Sequence, residues 1–164
     1  MIRFRVCGLG DIAGEASFGP DTLISVVPVG FDTSDVRPNW IEPDRHHIFH
    51  FDDVENAFFP GAPSEQDVAA LIEVGRALLE PDATKGVLIH CMAGVSRSTA
   101  TGFIYSCMHH GPGHEDEALR DVVRNSVSDF VCPNGLMVDY ADRLLDRGGE
   151  MTRVVRDWKL SLRW

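Results

Sequence analysis

A short apolar run that ends in His-Cys, crosses a glycine-containing loop and continues into a helical pattern constrains the fold more than any other stretch. The run Val87–His90 is predicted to be a buried strand. After the loop, apolar residues return at helical spacing, at Ala100, Phe103, Ile104, Cys107 and Met108. A strand that turns directly into a helix in the middle of the chain favours an α/β protein.

The rest of the pattern fits the same class. Further strands are expected at 2–7, 22–28 and 47–51, and helices at 64–80, 115–126 and from about 135 to near 148. We therefore predict one α/β domain over 1–164, with a central, mostly parallel sheet flanked by helices. The composition of 151–164 is hard to interpret, and a helix docked by Trp158 and Trp164 is favoured over a partner-binding tail.

Composition excludes several functions. The net charge of −10 argues against a broad nucleic-acid interface, so no nucleic-acid partner is expected. No apolar run approaches the length of a membrane-spanning helix, and Met1–Val6 lacks the apolar core of a secretory signal. The four cysteines include no CxxC pair. We therefore expect reduced thiols, a cytoplasmic location and no membrane partner.

The loop between the strand and the helix has the residues of an anion site. Five residues separate Cys91 from Arg97. In such a turn the backbone amides of Met92–Ser96 can form a nest for a phosphate, and Arg97 can bind two of its oxygens. The positive electrostatic field of these amides and of the helix N-terminus also lowers the pKa of a cysteine thiol. Cys91 is thus either a nucleophile or a small buried core residue, and Ser98 lies where a hydroxyl could assist a leaving thiolate.

The segment His90-Cys91-Met92-Ala93-Gly94-Val95-Ser96-Arg97-Ser98 resembles the signature loop of the cysteine-dependent protein tyrosine phosphatase superfamily, in its dual-specificity form. The resemblance implies Cys91 as the nucleophile, Arg97 and the amides of 92–97 as the phosphate site, and Ser98 in breakdown of the phosphocysteine. His90 would support the loop and the thiolate. Pro133–Asp142 also resembles small bacterial members. Phosphate, sulfate or vanadate would bind in the loop, and no cofactor is implied.

Members of this superfamily use an aspartic acid to protonate the leaving group. Asp52 and Asp53 follow the strand expected at 47–51, and Asp53 precedes Cys91 by 38 residues, somewhat more than is usual. The pair Asp53-Val54 matches the small bacterial type, so Asp53 is the preferred general acid, with Asp52 as the alternative. Either one could instead be a turn residue, and Glu55 is a weaker candidate.

Several alternatives stay open. The chain could be a phospho-binding module without turnover, or a Cys-loop enzyme of the sulfurtransferase type. Among phosphatases, a phosphorylated protein carrying phosphotyrosine is the preferred substrate, with a small phosphoester as the alternative. Inositol phosphates are disfavoured because 92–96 has no Lys or Arg for extra phosphates. Two histidine groups (46, 47, 50 and 109, 110, 114) and the dinucleotide-like Gly8–Ala13 are interpreted as structural, so no metal is expected.

Overall fold

The computed structural model describes residues 2–162, which form an α/β domain around a four-stranded parallel sheet. The strands are β1 (Phe4–Gly8), β2 (Thr22–Val27), β3 (His46–His50) and β4 (Val87–Cys91), in the spatial order β1-β4-β2-β3. The predicted fold class is confirmed. Every residue of β2 and β4 is buried, as expected for central strands of a parallel sheet that is covered on both faces.

Five α-helices follow the strands or join them. They are α1 (Glu65–Leu79), α2 (Arg97–His110), α3 (Glu115–Asn125), α4 (Gly135–Leu144) and α5 (Glu150–Ser161). The start of α1 is fixed by a reciprocal cap, because the Asp67 amide donates to Ser64 Oγ (3.1 Å) and the Ser64 amide donates to Asp67 Oδ2 (2.8 Å). Within residues 2–162 no helix is long and apolar enough to cross a bilayer.

The two faces of the sheet carry unequal cores. One face holds the main core, in which Val6, Ile24 and Ile89 pack against the helices. The other face has a smaller cluster, with Cys7, Leu23 and Leu88 at its centre, lying under the 3₁₀ helix Leu9–Phe18 and the loop that contains Ile41. Since Leu88 and Ile89 face opposite cores, the carboxyl end of β4 is fixed from both sides.

Two details differ from the sequence expectations. The segment after Gly8, where no helix is expected, forms the 3₁₀ helix Leu9–Phe18, which ends at Gly19 (φ 69°). The last predicted helix ends at Leu144 rather than near 148, because Asp146 (φ 53°) and the following glycines adopt left-handed conformations.

The segment 151–164, which was hard to interpret, continues as a helix to Ser161. The half-buried Trp158 docks this helix, since its indole Nε1 donates to the Val131 carbonyl (2.8 Å). The second tryptophan of the prediction, Trp164, lies outside the described residues.

Candidate active site

The loop between β4 and α2 lies at the carboxyl edge of the sheet and is shaped by outward-facing carbonyls. The Met92 carbonyl accepts from the Leu9 amide (3.1 Å), the Val95 carbonyl from the Cys132 amide (2.9 Å), and the Ser96 carbonyl from the Asn134 amide (3.2 Å). Because two neighbouring segments, at Leu9 and at 132–134, hold the carbonyls outward, the intervening amides are directed to the inner side of the turn. This is the arrangement of an anion-binding nest.

Gly94 is the one residue in this loop that must be glycine. Its φ of 73° is in the left-handed region, and a Cβ there would lie 2.5 Å from the Gly8 nitrogen and 2.6 Å from the Cys7 carbonyl carbon. Any side chain at this position would push the loop away from β1 and reorient the amides around Cys91. The turn is thus fixed by backbone contact with a neighbouring strand.

Cys91 is buried at the centre of the turn, with 2% of its surface exposed. Burial alone raises the pKa of a thiol, but here hydrogen bonds oppose it: Ser98 Oγ lies 3.1 Å from Sγ and the Gly94 amide donates to Sγ at 3.3 Å. With further help from the amides of Ser98 and Val95, the pKa of Cys91 lies below its ordinary value.

The other buried cysteines show the contrast. Burial, with the nearby Glu15 and Asp11 carboxylates adding to it, raises the pKa of Cys7 to about 12. Burial likewise raises the pKa of Cys107. Of these three thiols, only Cys91 has a pKa below the ordinary value, so it is the one that ionises most readily.

Arg97 is a buried cation at the first position of α2, with 5% of its surface exposed. Its Nη1 donates to the Phe51 carbonyl (2.8 Å), while its Nε has no hydrogen-bond partner. Within residues 2–162 no carboxylate forms a salt bridge to it. The other buried arginine, Arg147, is instead paired with Glu115 at 2.9 Å. A buried guanidinium without a counter-ion is costly, and an anion in the adjoining turn would compensate it.

The two candidate acids point to different neighbours. Asp53 is exposed at the rim of the turn, where its Oδ1 accepts from Ser96 Oγ (2.6 Å) and from Asn134 Nδ2 (2.9 Å). Asp52 faces away, since its Oδ1 accepts from the Val29 amide (3.1 Å) and its Oδ2 would touch a Cβ at Gly61. The geometry therefore favours Asp53 for a role beside Cys91.

His90 lies directly behind the turn. It is fully buried, and its Nδ1 donates to the carbonyl of Cys91 (3.0 Å). Glu55, the weakest candidate for the acid, is used elsewhere: it accepts from the Gly135 amide (2.7 Å) and pairs with Lys159. The structure thus brings together Cys91, Arg97, Ser98, Asp53 and His90.

The histidine groups that were weighed as metal ligands are dispersed or otherwise engaged. His110 Nε2 bonds Asp121 (2.6 Å), and His114 Nδ1 bonds Glu117 (3.2 Å). Over the range 2–162 no three His, Cys, Asp or Glu side chains are grouped so that they could hold a metal ion.

Four groups at the site carried no assigned role in the sequence. They are the Phe51 carbonyl, the Ser96 hydroxyl, and the side chains of Asn134 and Ser25. Asn134 is fully buried and acts twice, because its Oδ1 accepts from the Met137 amide (3.1 Å) to cap α4 while its Nδ2 holds Asp53. The N-cap pattern before α4 could have identified the first role but not the second.

A cavity of about 530 Å³ adjoins the turn on the Asp53 side. Two residues of the turn, two nearby acids and four residues from the C-terminal half line it. They are Val95, Ser96, Asp53, Glu55, Phe130, Cys132, Lys159 and Leu162.

Comparison with known proteins places this geometry in a structural class. A scan against protein-family models gives no match, and a search of curated proteins gives none. Solved structures do match. The PTP-2 phosphatase of Cydia pomonella aligns with a TM-score of 0.63 and 19% identity, covering 86% of this chain and 84% of that one.

Two further structures agree. PTPMT1 aligns with a TM-score of 0.56 and 13% identity, over 90% of this chain and 95% of that one. DUSP15 aligns with a TM-score of 0.54 and 16% identity, over 96% and 92%. The chain therefore has the fold of the protein tyrosine and dual-specificity phosphatases, at low sequence identity.

Proposed function

We propose that this protein is a phosphomonoester hydrolase of the cysteine-dependent tyrosine and dual-specificity type, acting through a phosphocysteine at Cys91. One observation carries the proposal: a turn whose carbonyls are held outward holds a buried thiol with a lowered pKa and a buried arginine that, among residues 2–162, has no carboxylate partner. A phosphate dianion supplies the negative charge that this arrangement stabilises.

The first half of the reaction forms the intermediate. The phosphate group binds to the amides of 92–97 and to the guanidinium of Arg97. The Cys91 thiolate attacks phosphorus, the bond from phosphorus to the leaving oxygen breaks, and Asp53 gives its proton to that oxygen. Both hydrogen bonds to Asp53 fall on Oδ1, which leaves Oδ2 to carry the proton.

The second half regenerates the thiolate. Asp53, now ionised, takes a proton from water as the water attacks phosphorus, and the sulfur–phosphorus bond breaks. The Ser98 hydroxyl, 3.1 Å from Sγ, stabilises the departing thiolate. His90 holds the Cys91 carbonyl throughout, so that the turn keeps its shape.

The preferred substrate is a phosphoprotein carrying phosphotyrosine. The turn offers Arg97 but no Lys or Arg at 92–96 for additional phosphates, and the adjoining cavity includes the exposed ring of Phe130. Because the mechanism needs a reduced thiol, we place the protein in the cytoplasm.

The test is hydrolysis of para-nitrophenyl phosphate by the wild type, Cys91→Ser and Cys132→Ser, with and without vanadate. Cys132 is the matched control, since its thiol lines the neighbouring cavity but not the turn. We expect vanadate-sensitive turnover that falls at least about a thousandfold in Cys91→Ser and stays within about twofold in Cys132→Ser.

Two other results would redirect the assignment. Vanadate or phosphopeptide binding without turnover would identify a phospho-binding module. Transfer of sulfur from thiosulfate to cyanide by the wild type, with no release of nitrophenol, would identify a sulfurtransferase.

A further inference from the structure

A chain of three polar side chains runs beneath the sheet from the back of Cys91 to the far edge strand. Ser25 Oγ lies 2.6 Å from His90 Nε2 and 2.7 Å from His46 Nε2. Ser25 and His90 are fully buried, and His46 is half-buried. Three strands, β4, β2 and β3, therefore contribute one side chain each.

The strand register places these three side chains on one face. Ser25 pairs with His90 across β2 and β4, and it pairs with Ile48 across β2 and β3. His46 precedes Ile48 by two residues, so its side chain emerges on the same face. This is the face of the smaller core, opposite to the helices that surround Cys91.

The Cys91 carbonyl, at one end of this series of hydrogen bonds, determines the direction of each of them. A carbonyl only accepts, so His90 Nδ1 carries the proton that is donated to the Cys91 carbonyl. The Nε2 of a neutral His90 then accepts, and the Ser25 hydroxyl donates to it. Ser25 Oγ in turn accepts from the Nε2 proton of His46. Each group has one role, and reversing any bond would leave the Cys91 carbonyl without its donor.

The surroundings keep both imidazoles neutral. Burial, and to a smaller extent the charges of His90, Arg37 and His47, lowers the pKa of His46 to about 4. Burial and the Arg97 charge likewise lower the pKa of His90, although its bond to the Cys91 carbonyl opposes this. Around neutral pH, therefore, each hydrogen bond between His46, Ser25, His90 and the Cys91 carbonyl has one direction.

We propose that His46 and Ser25 are positioning residues that fix the tautomer of His90 and thereby the shape of the turn around Cys91. The turnover part of this inference rests on the proposed phosphatase function, whereas the thiol part does not. Neither residue contacts the substrate. They act through His90, which holds the carbonyl of Cys91.

The test uses the different reach of two amides at position 46. The amide nitrogen of glutamine replaces Nε2 of histidine, whereas that of asparagine is too short to reach Ser25. His46→Gln should therefore restore the donor and His46→Asn should remove it. His47→Asn is the matched control, because His47 is the adjacent, equally half-buried residue of β3 but takes no part in the chain. Ser25→Ala removes the central link, and thermal unfolding verifies folding in all four variants.

Two readouts separate this inference from the proposed function. The first is the pH midpoint of Cys91 alkylation by iodoacetate, followed by peptide mass spectrometry, which needs no turnover. The second is kcat/KM for para-nitrophenyl phosphate. For His46→Asn and Ser25→Ala we expect the alkylation midpoint to rise by about half a unit to one unit and kcat/KM to fall about five- to tenfold. His46→Gln and His47→Asn should stay within about twofold of the wild type.

The contradicting outcomes are equally defined. An unchanged alkylation midpoint in folded His46→Asn would overturn the inference. If His46→Gln or His47→Asn shifted the alkylation midpoint as much as His46→Asn does, the effect would come from packing of the edge strand. That result would also overturn the inference. A chain without phosphatase activity would still show the alkylation shift, so failure of the proposed function remains distinguishable.

Discussion

The turn that holds Cys91 and the segment that holds Asp53 are built in opposite ways. The turn connects a buried strand to a buried helix, and its shape is fixed by backbone contacts with β1 and with residues 132–134. The segment 52–62 is largely exposed, with Phe58 at 95% and Phe59 at 60% exposure. The proposed nucleophile is thus positioned by the core, while the position of the proposed acid depends on a few hydrogen bonds between distant side chains.

This difference fits the two tasks that we propose for the site. The phosphate nest must keep its amides in place throughout the reaction, because electrostatic stabilisation depends on groups that do not reorganise. The acid must approach leaving groups of different size, and a peripheral carboxylate held by Ser96 and Asn134 can serve that purpose. Variants in the turn should therefore have larger effects than variants in the segment.

The largest effect should come from the buried cation. Arg97→Lys keeps the charge but loses the planar pair of donors and the bond to the Phe51 carbonyl, so kcat/KM should fall about a thousandfold. Steady-state hydrolysis of an aryl phosphate measures this loss. The control is Arg147→Lys, which weakens a buried ion pair far from Cys91 and should lower the melting temperature with little change in kcat/KM. Equal activity losses in the two variants would contradict a specific role for Arg97.

The second-largest effect should come from the proposed general acid. Asp53→Asn removes the proton donor, so kcat for an alkyl phosphate, which has a poor leaving group, should fall about a hundredfold, with a smaller loss for para-nitrophenyl phosphate. The matched control is Asp52→Asn, expected to stay within a few fold because Asp52 bonds the Val29 amide instead. If Asp52→Asn showed the leaving-group dependence and Asp53→Asn did not, the two roles would have to be exchanged.

A smaller effect is expected from the hydroxyl beside the thiol. Ser98→Ala removes a hydrogen bond to Sγ, which leaves burial less opposed and raises the pKa of Cys91. At any pH below that pKa less thiolate is present, so the acidic limb of kcat/KM should move to higher pH by about one unit, a tenfold loss on that limb. A pH–rate profile measures it, and an unchanged limb would show that the Ser98 hydroxyl does not stabilise the thiolate.

The smallest effect tests the link between the two regions. Asn134→Ala removes the bond to Asp53 and the cap of α4, so we expect about a threefold fall in kcat/KM and a loss of about 1 kcal/mol in unfolding free energy. Asn56→Ala is the control, since Asn56 caps a turn in the same segment without contacting Asp53. A stability loss in Asn134→Ala with unchanged kinetics would limit Asn134 to its capping role.

The contrast between the two regions also explains what the sequence could predict. The turn is encoded locally: an apolar strand, a glycine at a left-handed position, and Arg97 at the start of a helix all lie within one short stretch. Its fold and the placement of Cys91, Arg97 and Ser98 around one turn could therefore be expected. The helix α5 had a readable signal too, since Met151, Val154, Val155 and Trp158 follow helical spacing.

The remaining features depend on contacts between distant residues. Asn134 reaches Asp53 across 81 positions and Ser25 reaches His90 across 65, and no local pattern specifies either contact. The choice between Asp52 and Asp53 depends on the direction of adjacent side chains in an irregular segment, which periodicity does not determine. Such pairs become visible only when the strand order β1-β4-β2-β3 is known.

The covalent intermediate is the central claim, and trapping it is the most direct test. The protein would be mixed with an aryl phosphate, quenched in acid within the first turnovers and analysed by peptide mass spectrometry, with Ser98→Ala included because slower breakdown should raise the trapped fraction. We predict one phosphoryl group on the peptide that carries Cys91, and none in Cys91→Ser. Turnover with no phosphoryl group on that peptide, or with the group on another residue, would contradict the account.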